Sequence, residues 1–125
     1  RRHRVVEQRR AHHPQHAHLP RVAYLAESDR NVVGYIAGHL TSRFDCGGEL
    51  QYLYVAADYR RGAVGSALLH ELASWFRAAN VRRVCVNVED ENEPARAFYA
   101  HHGAVPLHPH WMVWGDISDV VQNKA

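Results

Sequence analysis

The stretch that decides the fold is residues 59–66, which read Tyr59-Arg60-Arg61-Gly62-Ala63-Val64-Gly65-Ser66. It follows a predicted strand, Leu50–Val55, and opens the strongest predicted helix of the chain. Backbone N–H groups at a helix N-terminus have no partner within the helix and lie at the positive end of its dipole, so they bind anions. Two glycines would let a diphosphate approach the main chain, and two arginines add positive charge. The stretch therefore indicates either a phosphate site or simply a glycine-containing turn that starts a helix.

Two helices are predicted from apolar spacing and capping residues. The first begins near Val64 and ends near Asn80, because its apolar residues recur at steps of three and four and form one stripe. The second begins at Asn92-Glu93-Pro94, since Asn caps a helix and Pro suits its first turn. Gly103 is placed to end it.

Short apolar segments separated by turn residues are predicted as strands. The predicted strands cover residues 22–26, 32–40, 50–55, 81–88, 104–107 and 111–116. The first two form a hairpin, and the helix between the third and fourth makes those two strands parallel neighbours. The result is one α/β domain.

Composition excludes several other classes. The chain has 125 residues, of which 46% are hydrophobic and 22% charged, an ordinary balance for one packed domain. It contains no apolar run long enough to span a membrane and no secretory signal. Its two cysteines, Cys46 and Cys85, form no C-x-x-C pair, so we expect free thiols and a cytoplasmic location.

The N-terminal residues differ in charge from the rest. Residues 1–20 carry five Arg and one Glu, whereas the remainder has a small negative formal charge. We therefore divide the chain into a basic, His-rich arm, residues 1–20, and a domain, residues 21–125. The arm is expected to be a solvated terminus, and nucleic acid is not expected as a partner, because the domain has no basic face.

Two motifs resemble those of one family, the GNAT superfamily of N-acetyltransferases. Its coenzyme A motif, Arg/Gln-x-x-Gly-x-Gly/Ala, is similar to residues 60–65, followed by the typical Ser66-Ala67-Leu68-Leu69. A second signature, Asn-x-x-Ala-x-x-Phe-Tyr followed by Gly-Phe, is similar to residues 92–99 and Gly103-Ala104. Both motifs are in the correct order, and the resemblance covers residues 21–116.

The resemblance implies a fold and an activity. The fold would be an N-terminally shortened, mixed and mostly antiparallel sheet with helices on both faces. Acetyl-CoA would be the cosubstrate, and an amine would attack its thioester directly in a ternary complex. Transfer of another acyl group stays open. So does a different class of function, in which a catalytically idle domain binds coenzyme A and works through protein or nucleic-acid partners.

The resemblance also implies the site residues. Main-chain groups near Tyr54 and Val55 would hold the pantetheine arm and polarise the carbonyl, between strands that splay apart. Asn92 would contact the arm, as well as cap its helix. The residues implied at the diphosphate are Arg60, Arg61, Gly62, Ala63, Val64, Gly65 and Ser66.

Two residues are candidates for proton transfer. Tyr99 matches the family tyrosine that would protonate the departing thiolate, and its simpler interpretation is an aromatic that packs beside Phe98. Glu49 is the candidate general base, acting directly or through a water. Other bases that remain open are Glu89, Glu91 and Tyr52.

Three departures from the family pattern matter. Ala63 replaces the first glycine of the motif, and Ala104 replaces the usual aromatic after Gly103. The family also places a strand and one or two helices before residues 22–26, and twenty residues cannot supply all of them. That strand would be an open edge, so we expect it to pair with a second chain, giving a homodimer, or with the N-terminal arm.

Eleven histidines raise the question of a metal. They include His12, His13, His16 and His18, and a second group at His101, His102, His108 and His110. Zinc sites need such residues on a rigid frame, commonly with Cys or carboxylates. Prolines interrupt the first group and neither cysteine is near, so we expect no metal site.

Overall fold

The computed structural model describes residues 3–8 and 20–122, and it forms one seven-stranded sheet in the order β1-β2-β3-β4-β5-β7-β6. Only β4 and β5 pair in parallel. The predicted element order and the parallel pair are confirmed, and β1 and α3 are additions that the sequence analysis missed. The elements are β1 Arg4–Gln8, β2 Arg21–Ser28, β3 Asn31–Leu40, β4 Gly48–Val55, α1 Val64–Ala78, β5 Val84–Asn87, α2 Glu93–His101, β6 Val105–His108, β7 Trp111–Trp114 and α3 Ser118–Gln122.

The N-terminal strand β1 covers the edge that the sequence left open. It pairs antiparallel with β2 from Arg4 opposite Glu27 to Gln8 opposite Ala23. The expectation of pairing with the arm is therefore confirmed, and that of a solvated terminus is wrong for residues 4–8. The physical reason is that backbone groups of an edge strand gain hydrogen bonds when a further strand is added.

Both long helices end as their sequences predict. Asn80 follows α1 with a φ of 61°, and the next N–H, that of Val81, donates to Phe76 O at 2.9 Å. Gly103 follows α2 with a φ of 101°, and Ala104 N–H donates to Tyr99 O at 3.0 Å. Positive φ favours Asn and Gly, and the backbone bond satisfies a terminal carbonyl.

The described helices pack on one face of the sheet, which we call the helix face. There a Cβ added at Gly34 or Gly38 would meet Leu68 or Leu72 of α1, at 3.2 and 2.8 Å. Tyr99 of α2 and Val120 of α3 belong to the same buried cluster. The expectation of helices on both faces is thus corrected for the described residues.

The opposite face, which we call the open face, carries a smaller cluster and several exposed rings. The cluster is Cys46, Cys85 and Val113, covered by the 3₁₀ turn Arg43–Asp45 through Phe44. The exposed rings are those of Tyr35, Tyr52 and Tyr54. Side chains alternate along a strand, so residues between core positions must point to this face. Within the described residues, no helix covers this face.

Strand β4 leaves β5 halfway along its length. The two strands pair only from Gly48 opposite Val84 to Leu50 opposite Val86. The register with β3 shifts at the same point, since Leu50 lies opposite Gly38 and Tyr52 opposite Ala37. Gln51 is therefore a β-bulge, which bends a strand and increases its twist. Beyond it lies a gap between residues 51–55 of β4 and the end of β5.

Candidate active site

The N-terminus of α1 presents unpaired backbone amides. Its first intrahelical bond runs from Ala67 N–H to Ala63 O at 2.9 Å, and Ala63 provides no side-chain cap. Within the described residues, the N–H groups of Val64, Gly65 and Ser66 donate to no acceptor. These are the groups that bind an anion at a helix start.

The two glycines of the motif do different things. A Cβ at Gly62 would find only Tyr59 O at 3.5 Å, so the backbone there is open to approach. A Cβ at Gly65 would lie 3.3 Å from the ring of Phe98, so this glycine allows α2 to pack closely on α1. The missing side chain of Gly65 thus permits close helix packing.

The two arginines also differ. Arg60 Nε donates to the carbonyl of Val55 at 2.8 Å, which ties the loop to the end of β4. Arg61 has a φ of 66° and is exposed. Arg61 therefore carries the freer of the two charges. Arg60 holds the loop between β4 and α1 in place through its Nε, and its terminal nitrogens are available.

The gap beside β4 is lined by backbone polar groups. Ala56 N–H donates to Val33 O on β3 at 2.8 Å, so the carbonyl of Val55 points the other way, into the gap. Polar groups alternate along a strand, which directs the N–H and C=O of Leu53 to the same side. Tyr54 presents its carbonyl to β3 and its ring to the open face, where it stacks on Tyr35 at 5.5 Å between ring centroids.

Tyr99 is buried among aromatic rings on the helix face. It is 6% exposed and packs edge-on against Phe98 and Trp114, with ring centroids 5.6 and 5.7 Å away. Burial raises its pKa to about 12. Its hydroxyl makes no hydrogen bond within the described residues. It is also not one of their solvent-inaccessible polar atoms, so the hydroxyl oxygen is in part accessible to solvent. The ring packs, as the simpler interpretation requires, while the hydroxyl stays available.

Asn92 caps α2, as the sequence predicts. Its side-chain oxygen accepts the N–H of Ala95 at 3.3 Å. Pro94 occupies the first turn, where its missing N–H costs nothing. Asn92 ends the loop that joins β5, which borders the gap, to α2.

Glu49 is a buried carboxylate on the open face. It is 9% exposed, and its oxygens lie 3.3 Å from Arg43 Nε and 3.9 Å from His39 Nε2. The Arg43 contact is not aligned as a hydrogen bond, so Oε1 is a buried atom without such a partner in the described residues. Sequence reasoning missed both neighbours, because His39 comes from the adjacent strand and Arg43 from a 3₁₀ turn with no motif.

The other candidate bases are more exposed. Tyr52 is 57% exposed on the open face. Glu89 pairs with His110 at 3.4 Å, and Glu91 is exposed in the loop before α2. Of the four, Glu49 is the buried one, and its Oε1 is ion-paired with Arg43 but has no hydrogen bond within the described residues.

A groove of about 740 Å³ runs from the start of α1 to the end of α2. Ala63 and Ser66 line it on the α1 side, His101 and His102 on the α2 side, and Arg4 at the far wall. Sequence reasoning missed this groove because Arg4 belongs to β1, which was not predicted. Its lining, which includes Arg4, several histidines and Glu71, lies beside the unpaired amides of α1.

Cysteine and histidine do not form a metal centre in residues 3–8 and 20–122. The group from His12 to His18 lies outside the described residues. Cys46 and Cys85 are buried free thiols that contact each other, and burial, then the neighbouring Cys46 thiol, raises the pKa of Cys85 to about 12. None of the described helices is long and apolar enough to cross a membrane.

Two curated proteins match the sequence over about two thirds of this chain. Streptothricin acetyltransferase A of Bacillus subtilis is 30% identical over 82 residues, which are 66% of this chain and 46% of that protein. An uncharacterized N-acetyltransferase of Methanocaldococcus jannaschii is 37% identical over 86 residues, or 67% and 53% of the two proteins. The chain thus spans about half the length of these curated relatives.

Solved structures share the fold. PaiA N-acetyltransferase of Thermoplasma acidophilum, solved with coenzyme A, superposes with a TM-score of 0.67 at 19% identity, covering 80% of this chain and 64% of that one. Ard1 of Thermoplasma volcanium gives a TM-score of 0.67 at 27% identity, covering 73% and 68%. A sequence model described as the Acetyltransferase (GNAT) family matches residues 2–104. The chain, with its open helix N-terminus beside a splayed pair of strands, therefore belongs to the GNAT family.

Proposed function

We propose that this protein transfers the acetyl group of acetyl-CoA to a primary amine. The observation that carries the proposal is the set of unpaired amides at the start of α1, next to a gap bordered by backbone polar groups. A diphosphate needs N–H donors and positive charge, which Val64, Gly65, Ser66 and Arg61 supply. The open space at Gly62 supports the fit, and the methyl group of Ala63 is exposed there.

The gap suits the extended pantetheine arm of coenzyme A, which contains amide groups that can form hydrogen bonds with a strand. Val55 and Leu53 direct N–H and C=O groups into it, although Arg60 already occupies the Val55 carbonyl. The remaining donors can hold the pantetheine arm and polarise the thioester carbonyl. Asn92, the N-cap of α2 in the segment after β5, would contact the arm from the other side of the gap.

The two proton-transfer candidates lie on opposite faces of the sheet. Tyr99 belongs to the buried cluster on the helix face, Glu49 lies on the open face, and the proposal places the reacting atoms in the gap between them. Glu49 would take the proton of the ammonium group, through a water, so that the amine nitrogen bonds to the acetyl carbon. The C–S bond breaks, and Tyr99 would donate its proton to the departing sulfur. As the amide forms, the nitrogen loses a second proton, which would return through water to the Tyr99 phenolate, so that atoms and protons balance.

The pKa of Tyr99, raised to about 12 by burial, keeps this phenol protonated at physiological pH. The raised pKa keeps the proton on Tyr99 until the thiolate forms. It also makes donation to the sulfur unfavourable, because a thiol has an ordinary pKa of about 8.5, so the proposed role requires the thiolate to lie directly against the hydroxyl.

The acceptor would approach from the open face. Tyr35, Tyr52 and Tyr54 offer aromatic surface there, which attracts an ammonium group, and Glu49 supplies negative charge. One relative is named for streptothricin acetylation. The acceptor proposed here is a primary amine, with no narrower identity.

A homodimer remains part of the proposal, although β1 now covers the edge that first suggested it. The outer edge of β1 is the exposed edge that a second copy would extend. Sedimentation of the full chain would show a dimer, and a monomer at all concentrations would end this part of the proposal.

The test is binding followed by turnover. Calorimetry of the full chain with acetyl-CoA should give saturable binding at one site, and addition of an amine panel should release free coenzyme A. Binding without release on any amine would favour the alternative, an idle domain that works through partners. Release with other acyl-CoA thioesters but not with acetyl-CoA would replace the acetyl group in the proposal. Absence of binding would overturn it.

A further inference from the structure

One hydrogen bond joins the two segments that carry the family motifs. Ser66 Oγ lies 3.1 Å from His102 Nε2. Ser66 is the third residue of α1, and His102 is the C-terminal cap of α2. Both side chains line the groove at the start of α1, where the proposed diphosphate site lies.

His102 is fixed by contacts other than Ser66. Trp114 Nε1–H donates to the carbonyl of His102 at 3.0 Å, and the Phe98 ring packs on the imidazole at 4.7 Å between centroids. Gly103 then turns the chain away with its positive φ. Contacts with α2 and β7 therefore fix the position of the imidazole, and the imidazole can in turn orient the Ser66 hydroxyl.

Gly65 makes the bond possible. The ring of Phe98 would lie 3.3 Å from a Cβ at this position, so a side chain there would push α2 away from α1. The next residue along α1 is Ser66, whose hydroxyl meets His102 across the same contact. The close approach of the helices thus sets the length of the hydrogen bond.

The direction of the bond decides what Ser66 can do. Burial, and then the neighbouring His101, lower the pKa of His102, so its imidazole is neutral at pH 7 and carries one N–H. When Nε2 carries that hydrogen, it donates to Ser66 Oγ and leaves the serine proton free. When Nε2 carries no hydrogen, it accepts a hydrogen bond from the Ser66 hydroxyl, and that hydroxyl can no longer donate to a ligand in the groove.

We propose that His102 is a positioning residue, whose Nε2–H holds the Ser66 hydroxyl so that its proton faces the diphosphate of coenzyme A. This inference rests on the proposed function. Ser66 then adds a side-chain donor to the backbone N–H groups of Val64 and Gly65. In this proposal His102 acts on the ligand only through Ser66.

The test compares coenzyme A binding by wild type and four variants. Ser66→Ala and His102→Leu should each weaken binding about tenfold, the size of one hydrogen bond to a charged acceptor. The double variant should be no weaker than either single variant, since both remove the same donor. His102→Gln should keep most of the affinity, because its side-chain amide can donate in place of Nε2.

A second ligand separates this role from a structural one. Dephospho-coenzyme A keeps the diphosphate but lacks the 3′-phosphate, so the same tenfold losses should appear with it. Losses confined to coenzyme A would assign the contact to the 3′-phosphate and overturn the inference. Unchanged binding in Ser66→Ala, additive losses in the double variant, or failure of His102→Gln to rescue would also overturn it. If wild type binds neither ligand, the proposed function fails as well, which is a different result.

Discussion

The two halves of β4 differ in every respect that matters for function. Residues 48–50 pair with strands on both sides and are buried, whereas residues 51–55 pair with β3 alone and alternate between half-buried and exposed. A single extra residue, Gln51, separates them. The first half is scaffold and the second half borders the site. A bulge thus converts part of a central strand into an edge whose polar groups are free for a ligand.

The largest expected effect is on the scaffold half. Leu50 is 2% exposed, and Leu50→Ala should lower the free energy of unfolding by about 2–5 kcal/mol, because it leaves a cavity in the core. Tyr54→Ala in the site half is the control. Its ring is 45% exposed, so its cost should be about 1 kcal/mol or less. Urea denaturation measures both, and equal losses would erase the distinction between the halves.

A second prediction concerns the acid proposed on the helix side of the gap. Tyr99→Phe should reduce kcat about 10²-fold, the scale of general acid catalysis, while the packing of the ring is kept. Turnover with an amine found in the panel, and urea denaturation, measure the two effects. An unchanged kcat would leave Tyr99 with a packing role alone.

The base on the open face gives a third prediction. Glu49→Gln keeps the shape of the side chain but removes its basicity, so the rate should fall by roughly tenfold or more. Glu91→Gln, an exposed carboxylate near the gap, is the matched control and should be active. If Glu49→Gln is as fast as wild type and the control is slow, the base is Glu91.

A fourth prediction returns to the scaffold half. A Cβ at Gly48 would overlap the ring of the fully buried Phe76, so Gly48→Ala should cost about 1–3 kcal/mol of stability. Gly115→Ala is the control, since no atom lies within 4 Å of its Cβ position. A stable Gly48→Ala protein would show that the core can yield there.

The smallest expected effect is on alkaline stability. The pKa of Tyr99 is raised to about 12, so its contribution to stability is complete below pH 10 and is lost as pH rises toward 12. Tyr99→Phe should therefore lose less stability than wild type between pH 9 and pH 11. Urea midpoints at these two pH values measure it, with Tyr54→Phe as an exposed control. Identical pH dependence of wild type and Tyr99→Phe would contradict the burial of this phenol.

Much of the fold was predictable because its signals are local. The stripe of α1, the cap at Asn92 and the turns at Asn80 and Gly103 depend on residues within a few positions of each other. β1 and α3 were not predictable, because five-residue elements gain stability from their neighbours rather than from their own pattern. The helices were also expected on both faces, since a sequence gives the apolar stripe of a helix but not the face it covers.

The site divides in the same way. The sequence by itself determined the helix start after the glycine-containing loop, the cap at Asn92 and the family, because spacing along one chain segment carries them. Only the tertiary structure decided that Gly65 serves helix packing, that Arg60 ties down Val55, and that Ser66 meets His102. Each of these joins residues that are distant along the chain or depends on which atoms face each other. Such contacts are set by how the strands and helices pack, which no local pattern specifies.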